Sequence, residues 1–476
     1  MNQLRGKLLI AWTTAALLSV LGYALWRANL VGFAPQELFN RVTQALGVPR
    51  VFQFIHSILG IGQDAKILAF LSVSLLWLGG STLLGLLRPW LGAVILGALL
   101  LTFAPPLDAL VYGVSFFLLR VLLDRVFAPR AQSAAPLPVE PSRRTTLALL
   151  GGGSALLVGG GLLNFFRQVN GVAQAARVVP GQPLPFGVTP VSQFYYVSKN
   201  LEAFDPKLKE ENWRLKVGGL VSEERTFTLA DLQEMPAKTL ELTLSCISNP
   251  LGGPLISNGI WRGVPVSDFL RRVGVQKGAK YVIWEAADGY IESLPLGQAF
   301  EEDVLLVYEL NGEPLTQKHG FPLRVLIPGR YGMKQPRWIT AIRLSDTDEA
   351  GYWVQRGWSK TAVVELTSRI DVPAELNPIV KADESTTLHG IAFAGKKEIT
   401  KVEVSVDGGR TWRAARLEPK RSQHAWTLWS LDWTPKRGSY QLAVRAWSGD
   451  EVQKSAEADA LPEGATGYHR FIVTAS

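Results

Sequence analysis

Five stretches within the first 170 residues, at 8–26, 66–87, 90–104, 107–123 and 146–166, are apolar with almost no charge. Several approach the roughly 20 residues a helix needs to cross a bilayer. In lipid only helices or closed barrels satisfy every backbone polar group, so this part of the chain is expected to form an α-helical transmembrane bundle. Pro105-Pro106 reads as a tight turn that joins 90–104 to 107–123 as a helical hairpin. Residues 51–62 are too short to span and are assigned to the membrane interface. The expectation is five transmembrane helices, with six as the alternative.

The net charge of +8 would suggest nucleic acid until it is located. Residues 1–145 hold twelve Lys/Arg against five Asp/Glu, so +7 of the surplus lies in the membrane part. It is a topology signal, and no nucleic-acid partner is expected. Arg5 and Lys7 precede the first apolar stretch, Arg88 separates the second from the third, and Arg120, Arg125, Arg130, Arg143 and Arg144 surround the approach to the fifth. The positive-inside rule puts the N-terminus in the cytoplasm and everything after residue 166 outside. The expected location is the cytoplasmic (inner) membrane, multi-pass, with the later domains on the extracytoplasmic, periplasmic side. Ser142-Arg143-Arg144-Thr145-Thr146-Leu147 is also a twin-arginine pattern before a Gly/Ala/Leu-rich run. Twin-arginine export carries folded proteins, often with a cofactor in place, so the motif predicts a cofactor in the exported part.

A chain of 476 residues calls for about three domains. Residues 1–170 are the membrane domain. Residues 171–372 mix strand patterns (213–218, 239–246, 280–286, 303–309, 322–327, 338–344) with helices at 229–234 and 265–273, an α+β arrangement. Asn311-Gly312 signals a hairpin. From 373 to 476 helix signals vanish, and short strands at regular spacing predict an all-β, immunoglobulin-like sandwich with a tryptophan-rich core.

The chain has one cysteine, Cys246, which ends an alternating apolar run and opens into a Gly-containing loop. One thiol excludes an intramolecular disulfide, a four-cysteine zinc site and an iron–sulfur cluster. It can still give a thiolate to a soft metal or act as a nucleophile.

Cys246-Ile-Ser-Asn249, Gly252-Gly253 and Trp261-Arg-Gly-Val-Pro-Val-Ser-Asp-Phe-Leu270 resemble the cysteine region of the sulfite oxidase superfamily. Lys318-His-Gly-Phe-Pro-Leu-Arg324, Ile327-Pro-Gly-Arg-Tyr-Gly-Met-Lys334 and Arg337-Trp-Ile339 resemble its second signature. Gly390-Ile-Ala-Phe-Ala-Gly395 and Val402-Glu-Val-Ser-Val-Asp-Gly-Gly-Arg-Thr-Trp412 look like its dimerisation domain, which implies a possible homodimer. The resemblance covers about 190–476 and implies a molybdenum–molybdopterin cofactor, with Cys246 as the protein's metal ligand and Ser248 and Asn249 tuning its sulfur. His319 and Arg324 would contact the pterin and its phosphate, continued by Lys334, Gln335 and Arg337. Tyr195 and Tyr196 would stand beside the cofactor, with Ser192 as a further candidate. The implied activity is oxygen-atom transfer to or from a small, sulfur-containing substrate.

Departures limit the reading of the substrate. Sulfite-oxidising members follow the cysteine with Asn-Arg-Arg, where this chain has Asn249-Pro250-Leu251. Trp358 stands where a tyrosine often faces the molybdenum, and Lys199 lies near the position of a substrate arginine. Lys199 and Arg356 are the remaining anion contacts to consider. The first 170 residues contain a single histidine, His56, so no intrinsic haem is expected. Electrons are expected to pass to an external carrier, a membrane cytochrome, or a quinone beside Trp77, Trp90 and Tyr112. A metal-free, membrane-anchored binding or scaffold protein is the alternative. A transporter is disfavoured because the apolar segments lack ionisable pairs.

Overall fold

A computed structural model describes residues 2–45, 63–127 and 187–476, apart from 29, 103, 201, 374, 376 and 377. The twin-arginine segment, the stretch at 146–166 and the interfacial segment with His56 lie outside the described residues. The chain divides into two compact units, Met1–Gly171 and Val172–Ser476.

In the first unit the described helices are α1 (Asn2–Arg27), α2 (Ala34–Ala45), α3 (Gln63–Leu84), α4 (Pro89–Leu100) and α5 (Pro106–Phe127). Two of them, over Gly6–Trp26 and Pro106–Val126, are long and apolar enough to cross a membrane. The expected third span is shorter than 90–104, because the chain leaves the helix at Leu100 ahead of the two prolines. Its 12 residues rise about 18 Å, less than a bilayer core. The hairpin of α4 and α5 packs through small residues: a Cβ at Gly113 would stand 3.4 Å from the Ala93 carbonyl, and Gly97 faces the Ala109 carbonyl. Large side chains such as Leu75, Leu83, Val94, Leu110 and Leu118 point outward. Trp77 and Tyr112 pack edge to face at 5.8 Å, and Trp90 is exposed. Among the described residues, buried Arg120 forms an ion pair with Asp124 and donates to the Gly85 carbonyl at 3.0 Å.

The second unit begins its regular structure with β1 (Leu215–Gly219), β2 (Arg225–Phe227) and α6 (Leu229–Gln233). Thr228 caps α6 in a reciprocal capping box with Asp231. Next come β3 (Lys238–Ser245), β4 (Ile256–Pro265), α7 (Val266–Val273), β5 (Tyr281–Ala286), β6 (Ile291–Pro295) and α8 (Leu296–Ala299). The lobe closes with β7 (Leu305–Leu310), β8 (Glu313–Pro314), β9 (Arg324–Leu326) and β10 (Ile339–Ser345). One sheet runs β2-β1-β10-β5-β6, and the second runs β3-β4-β7-β8 with β9 against β7. The hairpin of β7 and β8 turns at Asn311-Gly312, both at positive φ, as a type I′ turn requires.

A core that includes Trp213, Trp284, Phe269, Leu306 and Val325 joins the two sheets with α7. The opposite side of the second sheet carries another, with Phe194, Leu242, Leu244, Trp261, Val307 and Leu326. Successive strand residues alternate faces. Leu242 and Leu244 therefore carry Cys246 to the Trp261 side, and Leu326 carries Arg324 there. The α+β class holds.

The sandwich starts earlier than the 372/373 boundary expected from the sequence. β11 (Thr367–Val372) pairs with β13 (Thr386–Phe393) and so belongs to it. Its other strands are β12 (Ile379–Val380), β14 (Lys401–Ser405), β15 (Arg413–Ala414), β16 (Arg416–Leu417), β17 (Thr427–Trp433), β18 (Gly438–Ser448), β19 (Glu451–Val452) and β20 (His469–Ala475). The sheets β11-β13-β17-β16 and β12-β20-β18-β14-β15 enclose Trp429, Trp433, Val404, Val444 and Phe471.

Candidate active site

Cys246 stands where β3 ends. Its sulfur lies 3.1 Å from the Ser248 hydroxyl, so the side chain of Ser248 makes the contact expected of the loop backbone. Asn249 has a structural task instead: its Oδ1 accepts from Leu255 N at 2.8 Å and closes the loop. The Tyr195 side chain reaches the same place. A Cβ at Gly332 would stand 2.7 Å from the Tyr195 hydroxyl and 3.6 Å from the Ser245 carbonyl. Burial pushes the Tyr195 phenol up, and the neighbouring Cys246 thiolate adds to that. Ser192 lies on the adjacent turn and is exposed.

A buried basic cluster lies alongside. The His319 ring packs edge to face on Phe194 and approaches the Val191 carbonyl at 3.3 Å. Burial, with Arg324 and Arg337 nearby, lowers its pKa to about 3, so it is neutral. Arg324, 5% exposed, lies over the Trp261 ring and donates to the carbonyls of His319 at 3.2 Å and Gln335 at 3.3 Å. Its Nε is buried and has no partner, and burial beside Arg337 lowers its pKa to about 9. Arg337 donates to the carbonyls of Lys318 and Val197 and lies over Tyr196, whose hydroxyl donates to Asp205.

Two expected contacts are used differently. Gln335 is consumed within its own loop, accepting from Ile327 N at 3.1 Å and donating to the Arg330 carbonyl at 2.7 Å. Lys334 lies 2.5 Å from Glu292 in an ion pair buried on both sides. Burial raises the Glu292 carboxyl in spite of that ammonium, and its Oε2 has no partner. A third region joins Lys199 and Arg356 around the Tyr352 ring. Lys199 lies 3.7 Å from Asp288, and its ammonium faces the Tyr352 ring at 5.3 Å. Arg356 is buried over the same ring at 3.5 Å, donates to the Tyr352 carbonyl, and leaves its Nε without a partner. Trp358 packs at the edge of a cluster that contains Ile247 and Met333.

Sequence reading missed Glu292, Asp288, Asp205 and Tyr290, the last buried and bonded to the Met333 carbonyl at 2.6 Å. They reach the site through the β5–β6 hairpin and a loop that no motif marks. Only Asp288-Gly289 carried a turn signal.

Arg324, buried, and Arg337, half-buried, donate to carbonyls and lie over aromatic rings, and the unpartnered Arg324 Nε makes this a site for an anionic group. A neutral imidazole and tyrosines beside it suit a planar heterocycle, and the thiol supplies one soft donor. The residues present fit a pterin with a phosphate tail. Residues 202–353 match the model of the oxidoreductase molybdopterin binding domain, and 359–462 that of the Mo-co oxidoreductase dimerisation domain. The fold and site define a molybdopterin oxidoreductase module.

Among characterised relatives, the mitochondrial sulfite oxidase of Drosophila melanogaster is 29% identical over 314 residues, covering 54% of each chain. Nitrate reductase [NADH] 1 of Arabidopsis thaliana is 29% identical over 323 residues, 55% of this chain and 35% of its own. The match thus spans about half or less of these relatives' length. The crystal structure of the sulfane dehydrogenase SoxCD from Paracoccus pantotrophus superposes with a TM-score of 0.56 at 25% identity, covering 61% of this chain and 82% of that one. The chain belongs to the sulfite oxidase family of molybdopterin-dependent oxidoreductases.

Proposed function

We propose that this protein is a membrane-anchored molybdopterin oxidoreductase. It moves one oxygen atom between water and a small, sulfur-containing substrate and exchanges two electrons with a separate redox partner. The observation that carries the reading is the Cys246 thiol, beside Ser248 and Tyr195, next to the cluster of buried His319 and Arg324 with half-buried Arg337. Bound molybdenum supplies the two-electron oxygen-transfer chemistry. Cys246 is its protein ligand, and the Ser248 hydroxyl tunes the basicity of that sulfur. Arg324 and Arg337 hold the phosphate, with the neutral His319 and Tyr195 against the pterin.

Lys199 and Arg356 orient the substrate across Tyr352, with Trp358 at the edge of the pocket. Asp288 offsets the charge of Lys199, so the pocket favours a singly charged or neutral sulfur centre over a dianion. Sulfite-type oxidation and sulfoxide-type reduction both fit, and the missing arginine pair after Asn249 tilts the reading away from sulfite itself. The outward leucines of the first unit and its two span-length helices support anchoring in a cytoplasmic membrane. The positive-inside pattern supports an extracytoplasmic site, and the dimerisation-type sandwich supports a homodimer.

The test is elemental analysis of the purified chain, followed by dye-coupled assays against sulfite and sulfoxides. About one molybdenum per chain in the wild type, with activity lost in Cys246→Ser, is expected. A metal-free wild type, or an active Cys246→Ser enzyme, overturns the assignment.

A further inference from the structure

The sandwich reaches the cysteine loop through contacts of its own, away from the basic cluster. The loop closes on itself by Cys246 N to the Leu255 carbonyl at 2.9 Å and Gly253 N to the Pro250 carbonyl at 2.9 Å. Each of its next three residues then meets the sandwich. A Cβ at Gly467 would stand 2.7 Å from Leu251 Cδ1. Gly252, at φ +68°, lies so close to the His469 ring that any Cβ would collide with it. The Gly253 carbonyl accepts from the buried Arg369 guanidinium at 2.8 Å.

The sandwich side of this contact is itself fixed. β11 is an edge strand, and its Ile370 N–H donates to His469 Nδ1 at 3.0 Å. Nδ1 is therefore the acceptor, and the ring proton sits on Nε2, facing Glu375 at 3.4 Å. Asp371 holds the Arg369 Nε at 2.5 Å, which aims the rest of the fork at the loop. Two residues of the sandwich thus meet the loop from one side, with their own orientations set by a strand edge and two carboxylates.

We propose that Arg369 and His469 are positioning residues that seat the loop at 251–253 and so fix where the Cys246 sulfur stands. The sandwich then serves the site as well as any dimer. The consequence for the metal rests on the proposed function, while the seating of the loop does not.

The experiment compares Arg369→Met and His469→Phe with the wild type as full-length protein. Gly449→Ala is the control for strain elsewhere in the sandwich: at φ +58° an alanine strains the backbone, but no atom lies within 4 Å to pass that strain on. Hydrogen exchange at the Gly253 and Leu255 amides reads the seating. The thiolate-to-metal absorption band of the purified protein reads the sulfur. Loop exchange about tenfold faster in Arg369→Met is expected, from the loss of one charge-assisted hydrogen bond in a local opening. The band should move in both variants, while exchange in the β5–β10 sheet stays as in wild type and Gly449→Ala leaves both the loop exchange and the band unmoved. Folded variants with wild-type loop exchange and an unmoved band overturn the proposal. If Arg369→Met does not fold, Arg369→Lys carries the same comparison, since an ammonium cannot bridge Asp371 and Gly253 as a fork does. A wild type without molybdenum defeats the proposed function alone, because the exchange measurement needs no metal.

Discussion

Replacing Lys334 with Met should leave Glu292 as a buried carboxylate with no counter-charge. The ammonium stands 2.5 Å from Oε1, and both side chains are almost fully buried. The carboxylate's remaining support is the Ser293 N–H at 3.0 Å, and its Oε2 has no partner. Breaking a buried pair by removing one member costs about 3–5 kcal/mol. Protonation sets a ceiling of the same size: without the lysine the carboxyl takes a proton, and at about pH 7.5, from an ordinary glutamate value of about 4.3, that costs at most about 4 kcal/mol, since burial already raises the paired carboxyl.

A carboxyl whose folded pKa lies above its unfolded value gives stability that is present below the unfolded pKa. That stability is lost as pH rises through the folded pKa. The deficit of Lys334→Met should therefore shrink to about 1 kcal/mol at about pH 5. The assay is thermal unfolding of cofactor-free protein followed by tryptophan fluorescence, so that lost cofactor binding does not enter. At about 2–4 °C per kcal/mol, the drop should be about 10 °C at the higher pH. Adding Glu292→Gln should recover most of it. A deficit equal at both pH values, or a double variant no better than the single, refutes the reasoning.

Ser248→Ala should leave molybdenum content intact but shift the thiolate-to-metal absorption and slow turnover about tenfold, read by spectroscopy and steady-state kinetics. Arg356→Gln should raise KM for anionic substrates about tenfold or more and barely change KM for neutral sulfoxides, because a hydrogen bond from a charged donor is lost only with the anion. His319 is held neutral with its pKa lowered to about 3, so it gives stability that is present above about pH 6.5 and lost as pH falls toward 3. His319→Asn should flatten that part of the stability curve, measured by denaturant unfolding across the acid range.

Much of the catalytic lobe was legible because its motifs carry local signals. Asn311-Gly312 turned where it should, and the apolar alternation of 239–246 placed Cys246 at a strand end. β4 was missed because Ser257, Asn258 and Gly259 look like loop. Asn258 is nonetheless fully buried, with its amide bonded to the Gly187 carbonyl and Glu241 and its oxygen accepting from Thr243. Those partners lie 15 to 71 residues away, so no local window shows them. The basic residues His319, Arg324 and Arg337 were found by resemblance and do gather. The roles of Lys334 and Gln335 were not visible, since Glu292 and the Arg330 carbonyl take them up only in the folded lobe.

What the sequence determined by itself was chemical inventory and order. It supplied one thiol, a row of basic residues between 318 and 337, apolar segments ahead of them, and a tryptophan-rich β region behind. Those follow from residue type and period, which act over a few positions. Which charges cancel and which stay available was decided only by tertiary structure, because burial and pairing depend on neighbours brought from distant segments. The same holds for the sandwich edge that reaches the cysteine loop: Arg369 and Gly253 stand 116 residues apart in the chain and 2.8 Å apart in the fold.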